Sequence, residues 1–133
     1  MRVLGIDYGT KYIGLAYLDT ANQVSLPLAE LVMTSPAQAL KELAREIKER
    51  EVEKLVFGLP LSFQLKETPI CAEIREFAEA LADLAGVKLG YINEVLTSDL
   101  AKKLSEKQAK DNSLAAKIIL DDYLIKHLEH IQE

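Results

Sequence analysis

The chain has 133 residues, of which 49% are hydrophobic and 28% charged, and its formal net charge is −5. This length and composition are typical of one globular domain and exclude a disordered or fibrous chain. No apolar run reaches the roughly 20 residues of a membrane helix, no secretory pattern opens the chain, and Cys71 has no second cysteine to pair with, so we expect one cytoplasmic domain over residues 1–133 with no membrane association.

The first third of the sequence predicts three consecutive strands. Residues 2–7 are an apolar run, and residues 12–19 ("YIGLAYLD") mix β-branched, aromatic and apolar side chains. Residues 24–33 predict a third strand, in which Pro27 indicates an edge or a bulge. Because the intervening turns are short, these strands are expected to form an antiparallel meander.

The next part of the chain alternates helices with strands. Ser35 and Pro36 are typical of a helix cap and a first helical residue, and an amphipathic pattern follows them. The run "KLVFGLP" predicts a buried fourth strand, and a second amphipathic helix extends to Gly86. The run "VKLGYIN" then predicts a fifth strand.

Two further helices complete the predicted order. Residues 97–108 predict the third helix, and a last helix begins near residue 112. The inner face of the last helix carries Ala116, Ile119, Leu120 and Tyr123. The order βββαβαβαα predicts an α/β fold, a mixed five-stranded sheet with helices on both faces. Right-handed crossovers place the first, fourth and fifth strands side by side as its parallel part.

Carboxylates follow two of these parallel strands. Asp7 ends the first strand, Glu94 ends the fifth, and the segment from Gly58 to Leu61 ends the fourth. Neighbouring carboxylates repel one another unless a cation lies between them. Mg²⁺ prefers such oxygen ligands, and a pair of divalent cations supports phosphodiester hydrolysis. The sequence therefore predicts a metal-dependent site at the carboxyl ends of the parallel strands.

Four motifs, in order, resemble the YqgF-type proteins of the ribonuclease H-like superfamily. They are "GIDYGTKYIGLA" (5–16), "VFGLPLSFQLKETP" (56–69), "NEVLTS" (93–98) and "DNSLAAKIILDDYL" (111–124). The resemblance covers nearly the whole chain, and its family has the same order of helices and strands. Its members are described as pre-16S rRNA nucleases and earlier as Holliday junction resolvases.

The resemblance implies a nuclease domain that uses Mg²⁺ or Mn²⁺ and processes the 5′ end of pre-16S rRNA during ribosome biogenesis. Structured or single-stranded RNA and ribosomal precursors are then the expected partners. The alternative is a resolvase that acts on branched, four-way DNA junctions. The protein is expected to be a monomer or a homodimer.

The site residues that the resemblance implies are carried over position by position. The first-strand aspartate falls on Asp7, and the acid after the fifth strand falls on Glu94, although Asn93 replaces a flanking acid and Val95 an arginine. The family position of the third acid, at the start of the last helix, falls on either Asp111 or Asn112. Counting back from the Ala-Ala pair gives Asn112, whereas a local insertion before Ser113 gives Asp111. We assign catalysis to the three acids and count Asn112 as a further metal ligand.

Substrate contacts are expected around the first turn and after the fourth strand. The backbone N–H groups of Gly9 and Thr10 are suited to bind a phosphate oxygen, and Lys11 adds a cation. We expect Gly9 to adopt a positive φ. Gly58 and Pro60 are expected to line the substrate from the neighbouring strand.

Two rival hypotheses belong to other functional classes. The segments "DYGT" and "IGLA" also resemble the first phosphate loop of actin-like ATPases and sugar kinases, but those proteins close two such domains around ATP and need several hundred residues. A non-catalytic RNA- or protein-binding module is the second rival, motivated by Asn93, Val95 and Asn112.

Overall fold

The computed structural model describes residues 1–62, 64–95 and 113–131, with the backbone alone for 94–95 and 126–131. The elements in chain order are β1 (Arg2–Asp7), β2 (Tyr12–Asp19), β3 (Val24–Pro27), β4 (Leu31–Val32), α1 (Pro36–Glu49), β5 (Lys54–Leu61), α2 (Pro69–Ala85), β6 (Lys88–Val95) and α3 (Ser113–Ile131). The helix predicted over residues 97–108 lies outside the described residues.

The strands form one mixed sheet in the order β3-β2-β1-β5-β6, and β4 pairs with β2. The pairs β1–β2 and β2–β3 are antiparallel, whereas β1–β5 and β5–β6 are parallel. Both the antiparallel meander and the predicted parallel part are thereby confirmed. The carboxyl ends of β1, β5 and β6 lie at one edge of the sheet.

The prediction of one strand over residues 24–33 is wrong in one respect, because two strands form there. The sheet therefore has six strands within the described residues, not five. The strand β3 ends at Pro27, which has no N–H group with which to continue the ladder. Leu28 still donates its N–H to the Leu15 carbonyl at 2.8 Å. The chain then resumes pairing as β4, whose Leu31 and Val32 lie against Ile13 and Tyr12.

The helices cover both faces of the sheet, as predicted. On one face, α1 and α2 bury a core that includes Leu43, Ile47, Phe77 and Leu81. On the other face, α3 buries the four side chains predicted for its inner face, Ala116, Ile119, Leu120 and Tyr123. Cys71 is a buried free thiol of the first core.

The helix ends follow the predicted local chemistry. The Ser35 hydroxyl accepts the N–H of Gln38 at 3.1 Å and caps α1, with Pro36 in the first turn. Gly86 ends α2 with φ of 68°, a conformation that glycine adopts without strain. None of the helices in the described part of the chain is long and apolar enough to cross a membrane.

Candidate active site

Asp7 is the last residue of β1, directly after the buried run Val3–Ile6. Its partner across the antiparallel ladder is Gly14. On the parallel side, Ile6 pairs with Phe57, and Gly58 is the next residue along β5. Asp7 therefore has a glycine directly opposite it on β2, and a second glycine follows the last paired residue of β5.

Burial raises the pKa of the Asp7 carboxyl from 3.8 to about 6. Desolvation is the cause, since removal from water disfavours the charged form. Asp7 is only partly exposed, and no side chain in the described part of the chain donates a hydrogen bond to it. A partly dehydrated carboxylate that forms no ion pair with the described residues is well suited to bind a hard divalent cation.

The start of α3 is fixed to the sheet next to Asp7. Ser113 is fully buried, and its hydroxyl accepts the N–H of Leu15 at 3.2 Å. Leu15 pairs with Ile6, so this contact lies one residue from the Asp7–Gly14 pair. The N-terminus of α3, which carries a partial positive charge, is thus held at the carboxyl end of β1.

The close approach of α3 depends on a second glycine of β1. A Cβ atom at Gly5 would lie 2.5 Å from Cγ of Leu120, which is closer than such atoms pack. Gly5 is two residues before Asp7 and therefore on the same face of the sheet. The absence of a side chain at Gly5 therefore allows α3 to approach β1 closely.

The turn after β1 differs from the sequence prediction at Gly9. Its φ is not positive; among the described glycines, Gly86 alone has a positive φ. Glycine is needed for a steric reason, because a Cβ would lie 2.4 Å from the Tyr12 carbonyl oxygen. Thr10 and Lys11 follow in this turn with exposed side chains. The Lys11 carbonyl accepts the N–H of Met33 at 2.9 Å, which ties the turn to the end of β4.

The segment after β5 is held against the start of α2. The Pro60 carbonyl accepts the hydroxyl of Thr68 at 2.9 Å and the thiol of Cys71 at 3.5 Å. The Ser62 N–H donates to the Lys66 carbonyl at 2.9 Å. Gly58 and Pro60, the predicted contacts of this strand, are therefore part of a well-anchored strand end.

Sequence reasoning missed a clamp on this segment, formed by Glu67, Arg75 and Tyr91. The Arg75 guanidinium donates two hydrogen bonds to the Glu67 carboxylate, at 2.7 and 3.1 Å. The same guanidinium lies 4.7 Å from the centre of the Tyr91 ring. A signal was present, because Arg75 interrupts the first turns of an otherwise acidic and apolar helix, but its two partners are distant in sequence.

Position 94 pairs with Pro60 across the parallel ladder between β5 and β6. It is two residues beyond Ile92, which is buried on the α3 face, so strand alternation assigns position 94 to the face that carries Asp7. The Glu94 side chain, Asp111 and Asn112 lie outside the described residues. Within the described ranges, no group of three acidic, histidine or cysteine side chains that could hold a metal is present.

Comparison with protein families and characterised sequences gives consistent matches. A family model described as "RuvX: Holliday junction resolvase" matches residues 1–126. A relative from Chloroflexus aggregans, named "Putative pre-16S rRNA nuclease", is 35% identical over 92% of each chain. A relative from Opitutus terrae with the same name is 38% identical over 93% of this chain and 91% of its own.

Solved structures share the fold at much lower identity. "T. thermophilus RuvC in complex with Holliday junction substrate" superimposes with a TM-score of 0.61, covers 96% of each chain and is 14% identical. At this identity the likeness shows the architecture alone. It confirms the predicted ribonuclease H-like fold of the sheet and helices.

Proposed function

This chain belongs to the RuvX family, and from that premise we propose that it is a nuclease that hydrolyses phosphodiester bonds with divalent cations. The observation that carries the proposal is the environment of Asp7. This carboxylate ends a core strand, is desolvated, and lies opposite Gly14, which has no side chain to occupy the position beside it. A purely structural aspartate would be expected to accept hydrogen bonds there.

The oxygen ligands that these residues offer are the kind that Mg²⁺ and Mn²⁺ prefer. Asp7 supplies one oxygen ligand, and we assign the others to Glu94, to Asp111 and to the amide oxygen of Asn112. The register supports Glu94, because its position shares the Asp7 face at the same edge of the sheet. When bound, such cations supply an activated water and stabilise the charge on the leaving oxygen.

Ser113 supports a contribution from residues 111 and 112. Its hydroxyl contact with Leu15 fixes the backbone at residue 113 beside the Asp7–Gly14 pair. Because successive Cα atoms are 3.8 Å apart, the two preceding residues are within roughly 8 Å of this point. That range is short enough for an acid from this pair to share a metal site with Asp7.

Substrate binding is assigned to the turn after β1 and the end of β5. The Thr10 and Lys11 side chains are exposed beside the carboxylate end of β1, where Lys11 can neutralise a backbone phosphate. The steric fit of Gly9 against Tyr12 fixes the path of this turn. Gly58 contributes no side chain beyond Cα at this end of β5, and Pro60 pairs with position 94.

We infer that the substrate is an RNA precursor, in cytoplasmic 5′-end processing of pre-16S rRNA. The names of the relatives from C. aggregans and O. terrae support this choice. The family description favours a second candidate, cleavage of a four-way DNA junction. Junction cleavage favours a two-fold dimer, whereas trimming of a single strand does not need one.

The test is a cleavage assay with Mg²⁺ or Mn²⁺ in which structured RNA, single-stranded RNA, duplex DNA and four-way junctions are compared. Asp7→Asn is the inactivating variant, and Asp83→Asn, the same change at an exposed position of α2, is its control. RNA cleavage that requires cations and Asp7 supports the proposal. Cleavage of junctions alone would favour the second candidate. No cleavage of any substrate, with nucleic-acid binding retained, would identify a non-catalytic module.

A further inference from the structure

The unassigned feature with the most distinctive chemistry is a groove of about 520 Å³ where α1 and α2 end. Its floor is apolar and includes Ile47, Val52 and Val87. Leu84, at the end of α2, lines the groove and is 59% exposed. An exposed leucine beside an apolar floor is a surface that a partner's side chains can cover.

One wall of this groove is cationic, although the protein as a whole is acidic. Lys41, Arg45 and Lys48 of α1 line it at helical spacings of four and three residues, so they share one face of the helix. Glu51, the acid on the lining, is ion-paired with Arg2. The cationic wall is therefore not neutralised by this carboxylate.

Arg45 differs from the other arginines of the chain. Arg2, Arg50 and Arg75 each form an ion pair with a glutamate. Within the part of the chain that the structure describes, Arg45 forms none and is exposed on the groove wall. An unpaired guanidinium beside an apolar groove is a strong recognition group for a carboxylate on a partner.

The groove lies at the end of the sheet opposite the candidate active site. Val52 precedes β5 and Val87 precedes β6, whereas Asp7 and Gly58 lie at the carboxyl ends of the strands. Six residues separate Val52 from Gly58, which corresponds to roughly 20 Å along an extended strand. A molecule in the groove would leave the active site open.

We propose that this groove docks an acidic, amphipathic helix of a protein partner. The partner's apolar side chains would cover Leu84 and the floor, and its carboxylates would pair with Arg45 and its two lysine neighbours. Single-stranded nucleic acid fits less well, because none of the described lining residues is aromatic and bases would have no stacking platform. Docking here would bring the nuclease to an assembly while its cleavage site faces away.

The test uses a fluorescein-labelled 15-residue peptide with a leucine every three or four positions and glutamates between them. Binding to the full chain is followed by fluorescence anisotropy. Arg45→Glu and Leu84→Glu should each weaken binding at least about tenfold. Arg45→Glu places a negative charge against the acidic peptide, and Leu84→Glu places a carboxylate in the apolar contact. Lys66→Glu, also a charge reversal, and Leu26→Glu, the same substitution as at Leu84, lie at exposed positions outside the groove and should not weaken binding.

Two further probes identify what the groove recognises. A peptide with serine in place of leucine should bind weakly, and a labelled 12-residue oligouridine should bind equally to wild type and Arg45→Glu. The proposal is overturned if the leucine peptide does not bind, or binds all variants alike. It is also overturned if the RNA alone depends on Arg45. Circular dichroism confirms folding of each variant, and the result is independent of cleavage because only binding is measured.

Discussion

Asp7 lies opposite Gly14 across the β1–β2 ladder, so the carboxylate at the end of the core strand has a neighbour without a side chain. On the other side of β1, Ile6 pairs with Phe57 of β5, and Gly58 is the next residue of that strand. The Asp7 carboxylate is partly dehydrated and only partly exposed. That combination disfavours the free carboxylate and favours its complex with a cation.

The first prediction concerns cation binding. Mn²⁺ or Mg²⁺ should raise the thermal midpoint of the wild-type protein, because a cation that binds only the folded state adds about 2.7 kcal/mol at one hundred times its Kd. Asp7→Asn should lose most of this rise, since the amide retains the shape but removes the charge. Differential scanning fluorimetry across a cation titration measures both.

The control for that titration is Asp83→Asn, which should respond like wild type. Cleavage by Asp7→Asn should fall by more than about 100-fold, because even the loss of an outer-shell partner of a metal ligand typically costs 10–100-fold. Unchanged turnover in Asp7→Asn, or full activity in excess chelator, would contradict the metal-dependent mechanism.

The second prediction concerns the pH dependence of stability without metal. Burial raises the pKa of Asp7 from 3.8 to about 6, so the folded protein binds this proton more tightly than the unfolded chain does. The contribution of Asp7 to the free energy of unfolding is therefore present at low pH and lost as the pH rises from about 4 to about 6. Two pKa units correspond to about 3 kcal/mol.

Asp7→Asn should lack this component. Urea unfolding in chelator, measured for both proteins from about pH 4 to about pH 7, gives the difference in their free energies of unfolding. That difference cancels the other carboxylates, which titrate in both proteins. Asp7→Asn should become the more stable protein towards neutral pH. Parallel pH profiles for the two proteins would show that Asp7 is not desolvated.

The sequence predicted the fold well because its periodicities were long and consistent. The amphipathic pattern after Pro36 appears as the buried face of α1, and the four inner residues predicted for the last helix are buried on α3. The break after Pro27 was not predicted, because Leu28 and Leu31 continue an apolar run that extends through the turn. Pairing partners, not local pattern, decide that Leu31 begins a new strand.

For the candidate site, the sequence signal is clearest where a single residue carries it. Asp7 stands out because it directly follows a buried strand. The positive φ predicted for Gly9 is wrong, and glycine is needed there because a Cβ would meet the Tyr12 carbonyl oxygen. The clamp of Glu67, Arg75 and Tyr91 joins a loop, a helix and a strand, and no local pattern connects them.

The third prediction tests the packing of α3 on β1. Gly5→Ala should destabilise the protein by about 1–3 kcal/mol, because its Cβ would overlap the buried Leu120 side chain. Leu120→Ala alone should cost about 2–5 kcal/mol through the cavity that it leaves. In the Leu120→Ala background, Gly5→Ala should become neutral or stabilising. Additive effects in this double-mutant cycle would contradict the close approach.

The fourth prediction concerns the clamp on the segment after β5. Arg75→Ala should speed hydrogen exchange of the backbone amides in residues 62–68, because it removes both hydrogen bonds to Glu67 and the contact with Tyr91. Arg50→Ala breaks a different ion pair, on α1, and should leave this segment unchanged. Equal exchange in Arg75→Ala and wild type would show that the Pro60–Thr68 and Ser62–Lys66 contacts hold the segment without the clamp.

The fifth prediction concerns the third acid. Ser113 is fixed to Leu15 beside the Asp7–Gly14 pair, so Asp111 and Asn112 are the candidates nearest in sequence. If Asp111 is the working acid, Asp111→Asn should reduce cleavage about as severely as Asp7→Asn, while Asn112→Asp changes little. If Asn112 occupies the ligand position, Asp111→Asn should cost only helix-cap stabilisation, which asparagine largely retains.

In that second case Asn112→Asp would add a negative charge at the site, tighten cation binding and raise activity. Cleavage rates of the two variants and wild type across a Mg²⁺ titration separate the cases, because a ligand change shifts the cation concentration at half-maximal rate. Two variants indistinguishable from wild type would leave the site to Asp7, Glu94 and water. We expect the first outcome, with Asp111 as the acid, because a pair of divalent cations is better neutralised by three carboxylates than by two.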